Sequence, residues 1–401
     1  MNSKLLGGTL LVIGTTIGAG ILALPVATAE MGFWGSMLLL TGAWFVMIIC
    51  AFLFLEVNLW MPPNTNLITM AGATLGKPGQ AATWVVYLVL LYSIICAYIA
   101  GGGDLFHYLL GTAGITVSLP FASVLFTLMF GAIVYFGIRS VDYVNRGLMF
   151  GKMGAYLILV LLMVPFVSAA NLGSFELKHI ASPSAVTVAT VSFGSLMIIP
   201  SLRTYFNEDI KSLRWAIFVG MTIPLFCYIA WDLVILGIVP YYGTPGLEQI
   251  MHSPSTNSDL VAALGVLLHK STITTLAKFF TSICMTTSFL SISLCLSDFL
   301  SDGLRITKEG ISNNVVIYGA TFLPPLLIVL FYPGAFLRGL QYAGVCCFFL
   351  MILLPPMMAW RGRYHFAFTN GHSGVAGGKF LLAVLMVFAT LMIGFGLEGA
   401  V

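Results

Sequence analysis

The sequence predicts an all-α integral membrane protein of eleven transmembrane helices, and three observations carry that prediction. Only 8% of the 401 residues are charged and 59% are hydrophobic, whereas a soluble domain needs roughly a quarter charged residues to cover its exterior. The apolar residues fall in runs that match the roughly 20 residues a helix needs to cross a bilayer, and the length accommodates about ten to twelve such spans. The runs are continuous and do not alternate over ten-residue strands, which argues against a transmembrane β-barrel.

The same composition excludes other classes. Net charge is +3 with dispersed basic residues, so no nucleic-acid surface is expected. Seven cysteines, Cys50, Cys96, Cys227, Cys284, Cys295, Cys346 and Cys347, all lie in apolar runs and read as small buried hydrophobes, not as a disulfide frame or metal site. No nucleophile, base or metal-ligand motif occurs in a credible context, so neither an enzyme nor a cofactor is expected. Nothing in the sequence sets an oligomeric state.

The first span covers residues 5–30. Lys4, an apolar run and Ala27-Thr28-Ala29 imitate a cleavable signal peptide, but further membrane spans follow, so the segment is read as retained. Ten more spans follow near 33–58, 81–109, 119–138, 149–168, 186–205, 214–239, 271–300, 313–332, 335–360 and 378–398. With a cytoplasmic N-terminus, thirteen Lys and Arg residues from Lys4 to Lys379 face inward or sit at the inner interface. Only Lys178, Lys270 and Arg338 then face outward, with Lys278 inside a span. This is a strong positive-inside signal, and an odd number of spans puts the C-terminus on the external face. The connection 240–270 carries Pro240, Gly243, Pro245, Gly246 and Pro254, with apolar residues at 260–268; capping an entrance and serving as a plain structural loop are both open to it.

Two spans look interrupted. The first contains Gly14-Thr15-Thr16-Ile17-Gly18-Ala19-Gly20 and then Pro25. So many glycines make a costly helix interior and suit either close helix packing or an unwound segment near the midplane. At such a break, N–H groups of one half-helix receive a carboxylate, and carbonyls of the other receive an ammonium or cation. The sixth span contains Ser192-Phe193-Gly194-Ser195, followed by Pro200. First and sixth spans correspond if five helices repeat with inverted topology. The expected organisation is a first repeat over 1–168, a second over 169–360 containing loop 240–270, and a cytoplasmic loop with an appended eleventh helix over 361–401. A binding site is then expected between the repeats.

Ionisable and polar residues within spans supply coupling candidates, because charge in hydrocarbon is costly unless paired, neutralised or hydrated. Lys152 is either a proton-releasing amine or a snorkelling, positive-inside lysine. Asp232 is either a proton group or a structural hydrogen-bond partner. Glu30, Glu56 and Asp104 fall toward span ends. The hydroxyls of Thr286, Thr287 and Ser288 either satisfy neighbouring backbone or help hold a cation. Tyr87, Tyr92 and Tyr98 recur along the third span, Tyr92 nearest its middle, and Phe193 and Phe289 are candidates to close on an apolar side chain.

The Gly14–Gly20 stretch with Ala23-Leu24-Pro25, Ser192-Phe193-Gly194, Leu213-Arg214-Trp215, Thr287-Ser288 and Tyr332-Pro333 together resemble the bacterial hydroxy and aromatic amino acid permeases, most closely their tyrosine-specific branch. The likeness runs over nearly the whole chain. It implies an inner-membrane, proton-coupled importer of an aromatic amino acid, tyrosine first, with the leucine-transporter inverted-repeat fold. By matching motifs, it implies substrate contacts at Thr15, Thr16, Gly18, Ala19 and Gly20 and at Ser192, Phe193, Gly194 and Ser195, with Tyr92 and Phe289 as further pocket candidates. It aligns Thr287 and Ser288 with the cation region of sodium-coupled relatives and offers Lys152 as a replacement charge. Where the tyrosine branch carries Phe-His after Ser-Phe-Gly, this chain has Ser195-Leu196, a smaller and less basic wall.

Overall fold

The computed structural model describes residues 3–18, 20–63, 65–173, 182–207, 209–253, 255–306, 308, 310–332, 334–368 and 374–400. Ala19, Lys178, Pro254 and Pro333 lie outside the described residues. The first apolar run forms α1 (Ser3–Thr16) and α2 (Gly20–Ala27), whose axes differ by 51°. A 3-10 turn leads into α3 (Gly32–Leu59). α4 (Leu67–Thr112) starts at Asn66, whose side chain accepts from the Thr69 N–H at 2.9 Å. Its backbone turns at Gly76, where φ is 78°. Glycine adopts that angle at no steric cost, so a short leading helix precedes the long span.

α5 (Leu119–Tyr135), α6 (Ile138–Met163) and the short α7 (Ala169–Leu172) complete the first half. The sixth apolar run is split into α8 (Pro183–Ser192) and α9 (Ile199–Tyr205), separated by Phe193–Ser195 and a 3-10 turn. Pro200 sits in the first turn of α9, where its missing N–H costs nothing. α10 (Ile210–Ile238) starts at Asp209, whose side chain accepts from the Ser212 N–H at 3.2 Å. α11 (Leu247–Met251) and α12 (Thr256–Leu268) fill the 240–270 connection. The chain then forms α13 (Ser271–Leu304) and α14 (Ile311–Phe331). α15 (Ala335–Cys347) and α16 (Leu354–Tyr364) are continuous through a π-helical stretch at Phe348–Leu353, and α17 (Gly378–Ala400) ends the bundle.

Among the described residues nine helical segments are long and apolar enough to cross a membrane, or ten with the bent α1/α2 pair as one span. α5, with 17 residues, falls just short of that test; at 1.5 Å per residue it reaches about 26 Å of a roughly 30 Å hydrocarbon core.

The long α4 sits centrally, packed against α5, α13, α14 and α15, while α10 packs on α1 and α3 and α6 on α13. Small residues permit the closest approach: a Cβ on Gly103 would collide with Ser123 of α5, the close backbone packing that membrane helices use in place of hydrophobic driving force. Beyond this point Asp104, buried in α4, accepts from the N–H groups of Asn257 (3.1 Å) and Ser258 (2.9 Å) and from the Ser258 hydroxyl. A carboxylate at a helix start is favoured by both capping and dipole, so α12 is pinned across that end of α4.

Candidate functional site

The helical hydrogen-bond ladder ends at Thr16 in one broken span and at Ser192 in the other, leaving carbonyls without intrahelical partners. Two buried side chains take them up. The Tyr228 hydroxyl of α10 lies 2.7 Å from the Thr16 carbonyl oxygen and 2.8 Å from that of Ser192, so one O–H serves both breaks. Its ring is fully buried and meets Phe193 edge-on, with centroids 5.3 Å apart. The Lys152 Nζ, on α6, donates to the Ile17 carbonyl at 2.8 Å, and the residue is 2% exposed. An ammonium there stands at the negative, C-terminal end of α1, an electrostatic position a bound cation would fill.

Close packing of the half-helices explains Gly20. A Cβ there would stand 2.6 Å from Ser192 Oγ and 3.3 Å from Ser192 Cβ, so only glycine lets α2 lie against α8. Gly18 is opposite α13 and α4: its Cβ would lie 3.1 Å from Ser288 Oγ and 3.8 Å from the Tyr98 hydroxyl, and Tyr98 bonds to Ser288.

These groups border one cavity of about 360 Å³. Thr15, Gly18, Lys152, Gly194, Ser195, Thr287 and Ser288 line it together with Gly14 and Tyr98. Its walls are apolar, formed by Leu90, Leu91, Ile94, Ile198, Ile292 and Met351. From the breaks it runs back along α4 to Tyr87 and forward along α13 to Cys295. The opposite direction is filled: Met285, Asn257 and Phe336 crowd the Gly101 backbone, beneath the pinned α12.

Other candidates are engaged within the bundle. Thr16 is buried with its hydroxyl on the Val12 carbonyl at 2.7 Å, and Ser192 is satisfied by Val188 at 2.8 Å. Phe193 is occupied by Tyr228 and does not line the cavity. Thr287 lines the cavity, yet its hydroxyl bonds to the Ile283 carbonyl at 2.8 Å. Asp232 is buried away from the cavity, accepting from the Ser36 hydroxyl and from Thr28 at 3.3 Å.

Two expectations are corrected by helical geometry. Tyr92 donates to the Ala320 carbonyl of α14 at 2.7 Å and is absent from the cavity wall. Tyr87 and Tyr98 are eleven residues apart, just over three whole turns, whereas Tyr92 is rotated about 140° from Tyr87 at 100° per residue. Phe289 is fully buried against Phe126 (5.2 Å) and Phe322 (5.7 Å). Thr287, Ser288, Ser291, Ile292 and Cys295 share the cavity face of α13; Phe289 is turned about 100° beyond Ser288.

Tyr228 was not legible as a site residue from the sequence. The available signal was its place four residues before Asp232, on one face of α10. Among the described residues no group of three or more His, Cys, Asp or Glu side chains is positioned to hold a metal ion.

The tryptophan/tyrosine permease family model matches residues 1–395. The chain belongs to that family. It is 34% identical to Tyrosine-specific transport system 1 of Haemophilus influenzae over 395 residues, covering 97% of this chain and 96% of that one. It is 32% identical to Glutamine transporter 2 of Aliivibrio fischeri over 407 residues (98% and 99% covered). The Tryptophan-specific transport protein of Haemophilus influenzae is 29% identical over 403 residues (98% and 95% covered). This tryptophan/tyrosine permease family member is therefore a multi-pass membrane protein of the secondary amino-acid transporter class, and the cavity between its broken helices is the candidate transport site.

Proposed function

We propose that the protein imports an aromatic amino acid, tyrosine first, together with protons across the bacterial inner membrane by alternating access. The observation that carries this reading is the Lys152 ammonium on the Ile17 carbonyl at the break of the first span, 2.8 Å away and on the wall shared with Thr287 and Ser288. A fixed charge that gains and loses a proton replaces a bound sodium ion there. The substrate carboxylate meets the N-terminal end of α2 and its ring enters the apolar part of the cavity. Its ammonium approaches the carbonyls of the two half-helices, which in this conformation are held by Tyr228 and Lys152.

The eleven-span, five-plus-five reading is supported by the packing, which repeats under exchange of halves. α4 packs on α15 as α13 packs on α6, and α4 on α14 as α13 on α5. α5 and α14 then correspond as fourth and ninth spans, and α17 stands outside the repeat. With the N-terminus cytoplasmic and the C-terminus periplasmic, the cavity opens inward and α12 covers the external side. The divisions at 1–168, 169–360 and 361–401 follow from this repeat.

The test is uptake of labelled tyrosine into liposomes in sodium-free buffer, with and without an inward proton gradient. Accumulation that requires the gradient is expected; dependence on sodium or on internal amino acid would replace proton symport by sodium symport or exchange. A glutamine reading is favoured by the 32% identity to Glutamine transporter 2, and labelled glutamine is run beside tyrosine, tryptophan and phenylalanine to decide it.

A further inference from the structure

The cavity has polar groups at both ends and an apolar middle. At the breaks stand Gly18, Lys152, Tyr98 and Ser288; at the far end stand Tyr87 and Cys295, with Leu90, Leu91, Ile94 and Ile292 between. The Tyr87 hydroxyl and the Cys295 thiol are 3.4 Å apart and either can donate. Cys295 lies seven residues beyond Ser288 on α13, about 10 Å along the axis at 1.5 Å per residue. A tyrosine is shorter than that from its backbone groups to its phenolic oxygen, and a hydrogen bond at the phenolic end spans the remainder. The Tyr87 ring is held edge-on by Phe299, centroids 5.2 Å apart, and Phe299 in turn lies against Trp84 at 5.3 Å, so the hydroxyl is held at the cavity wall.

We infer that Tyr87 and Cys295 form a subsite for the polar tip of the transported side chain, and that the hydroxyl of a tyrosine is what it recognises. This rests on the reading of the cavity as an amino-acid site. A phenolic hydroxyl both donates and accepts, which matches a hydroxyl and thiol that already exchange a hydrogen bond. Phenylalanine has no atom for this end and would leave the pair merely bonded to itself. Glutamine has a polar tip but too little apolar body for the middle of the slot. A site that hydrogen-bonds a substrate hydroxyl discriminates against the analogue lacking it far better than an apolar wall distinguishes sizes.

The experiment measures inhibition of labelled tyrosine binding by unlabelled tyrosine, phenylalanine and tryptophan in purified wild type, Tyr87→Phe and Cys295→Ala. Wild type is expected to prefer tyrosine over phenylalanine, and Tyr87→Phe to shrink that ratio about tenfold, the equivalent of one lost hydrogen bond. Cys295→Ala shifts it less, because a thiol is the weaker partner. The ratio is read within one preparation, so partial misfolding does not imitate the result. An unchanged ratio in Tyr87→Phe, or an equal fall for tyrosine and phenylalanine, overturns the subsite. Wild type that binds tyrosine and phenylalanine equally well also overturns it while leaving aromatic amino-acid transport intact; wild type that binds no aromatic amino acid overturns the proposed function beneath it.

Discussion

Replacing Tyr228 by Phe removes one oxygen from the point where both broken helices meet. The hydroxyl lies 2.7 Å from the Thr16 carbonyl and 2.8 Å from that of Ser192, in a residue with no exposed surface. One O–H carries one proton, so its loss removes about one hydrogen bond: the Thr16 carbonyl keeps the Gly18 N–H at 2.9 Å, while the Ser192 carbonyl loses the Tyr228 donor. The cost is about 1–3 kcal/mol. The contact of the ring with Phe193 is kept, so no large cavity term is added. If the bond is made in only one of the two access states, the same 1–3 kcal/mol shifts their ratio by about 5- to 150-fold. Melting of the purified protein and initial uptake at matched membrane insertion separate the two effects. The expected result is uptake at least fivefold lower with melting only a few degrees lower. Wild-type behaviour in both would refute the bridging role, and loss of stability with unchanged uptake per folded molecule would reduce Tyr228 to a packing residue.

Lys152→Met should keep the chain folded but abolish proton-driven accumulation, seen as uptake that no longer responds to an imposed pH gradient; a retained response would remove Lys152 as the carrier. Asp232→Asn keeps an acceptor for Ser36 and Thr28, so the gradient response should survive, and its loss would move the coupling to Asp232. Gly20→Ala places a methyl 2.6 Å from Ser192 Oγ and 3.3 Å from its Cβ; overpacking of this kind costs about 1–3 kcal/mol, and melting and uptake should both fall, with Ser192→Ala giving only partial rescue. Glu56→Gln breaks the paired contacts to Arg363 Nε (2.7 Å) and Nη2 (2.6 Å). The loss of charge-assisted bonds of about 1.5–3 kcal/mol should appear in melting, while the Tyr87-dependent substrate preference stays as in wild type.

The membrane class and both helix breaks were legible because each needs residues that are costly elsewhere. Gly18 and Gly20 are costly in a plain helix, and the structure ends α1 at Thr16 and starts α2 at Gly20, while Pro25 lies within α2. Ser192 and Pro200 bracket the second break in the same way. Side-chain direction was less legible. Position along a span says how deep a residue lies, but rotation about the helix decides what it faces: Tyr92 has the mid-span depth, while Tyr87 and Tyr98 share the cavity face. Tyr228 was hidden for a different reason: an aromatic residue in an apolar helix looks like core until the carbonyls it serves are known.

The ionisable residues near and within the spans separate by the kind of partner each has found. Glu56 is paired with Arg363 and also accepts from the Val375 N–H at 2.8 Å. Asp104 holds the start of α12, and Asp232 holds hydroxyls of Thr28 and Ser36. Lys278 lies over the ring of Tyr108, 4.7 Å from its centroid, an ordinary cation–π contact. Each of these joins a helix to its neighbour or to a loop, and of them Asp232 keeps one buried carboxylate oxygen, Oδ1, without a hydrogen-bond partner among the described residues. Lys152 and Arg203 both bond to main chain, Arg203 to the Asn58 and Met61 carbonyls at 2.6 and 2.9 Å, but only the Lys152 partner, Ile17, lies at the break of the first span beside the cavity. Under the proposed proton symport, this bond between α6 and the break of the first span changes strength when the amine changes charge, on the wall where a substrate would arrive, and so biases one conformation over the other.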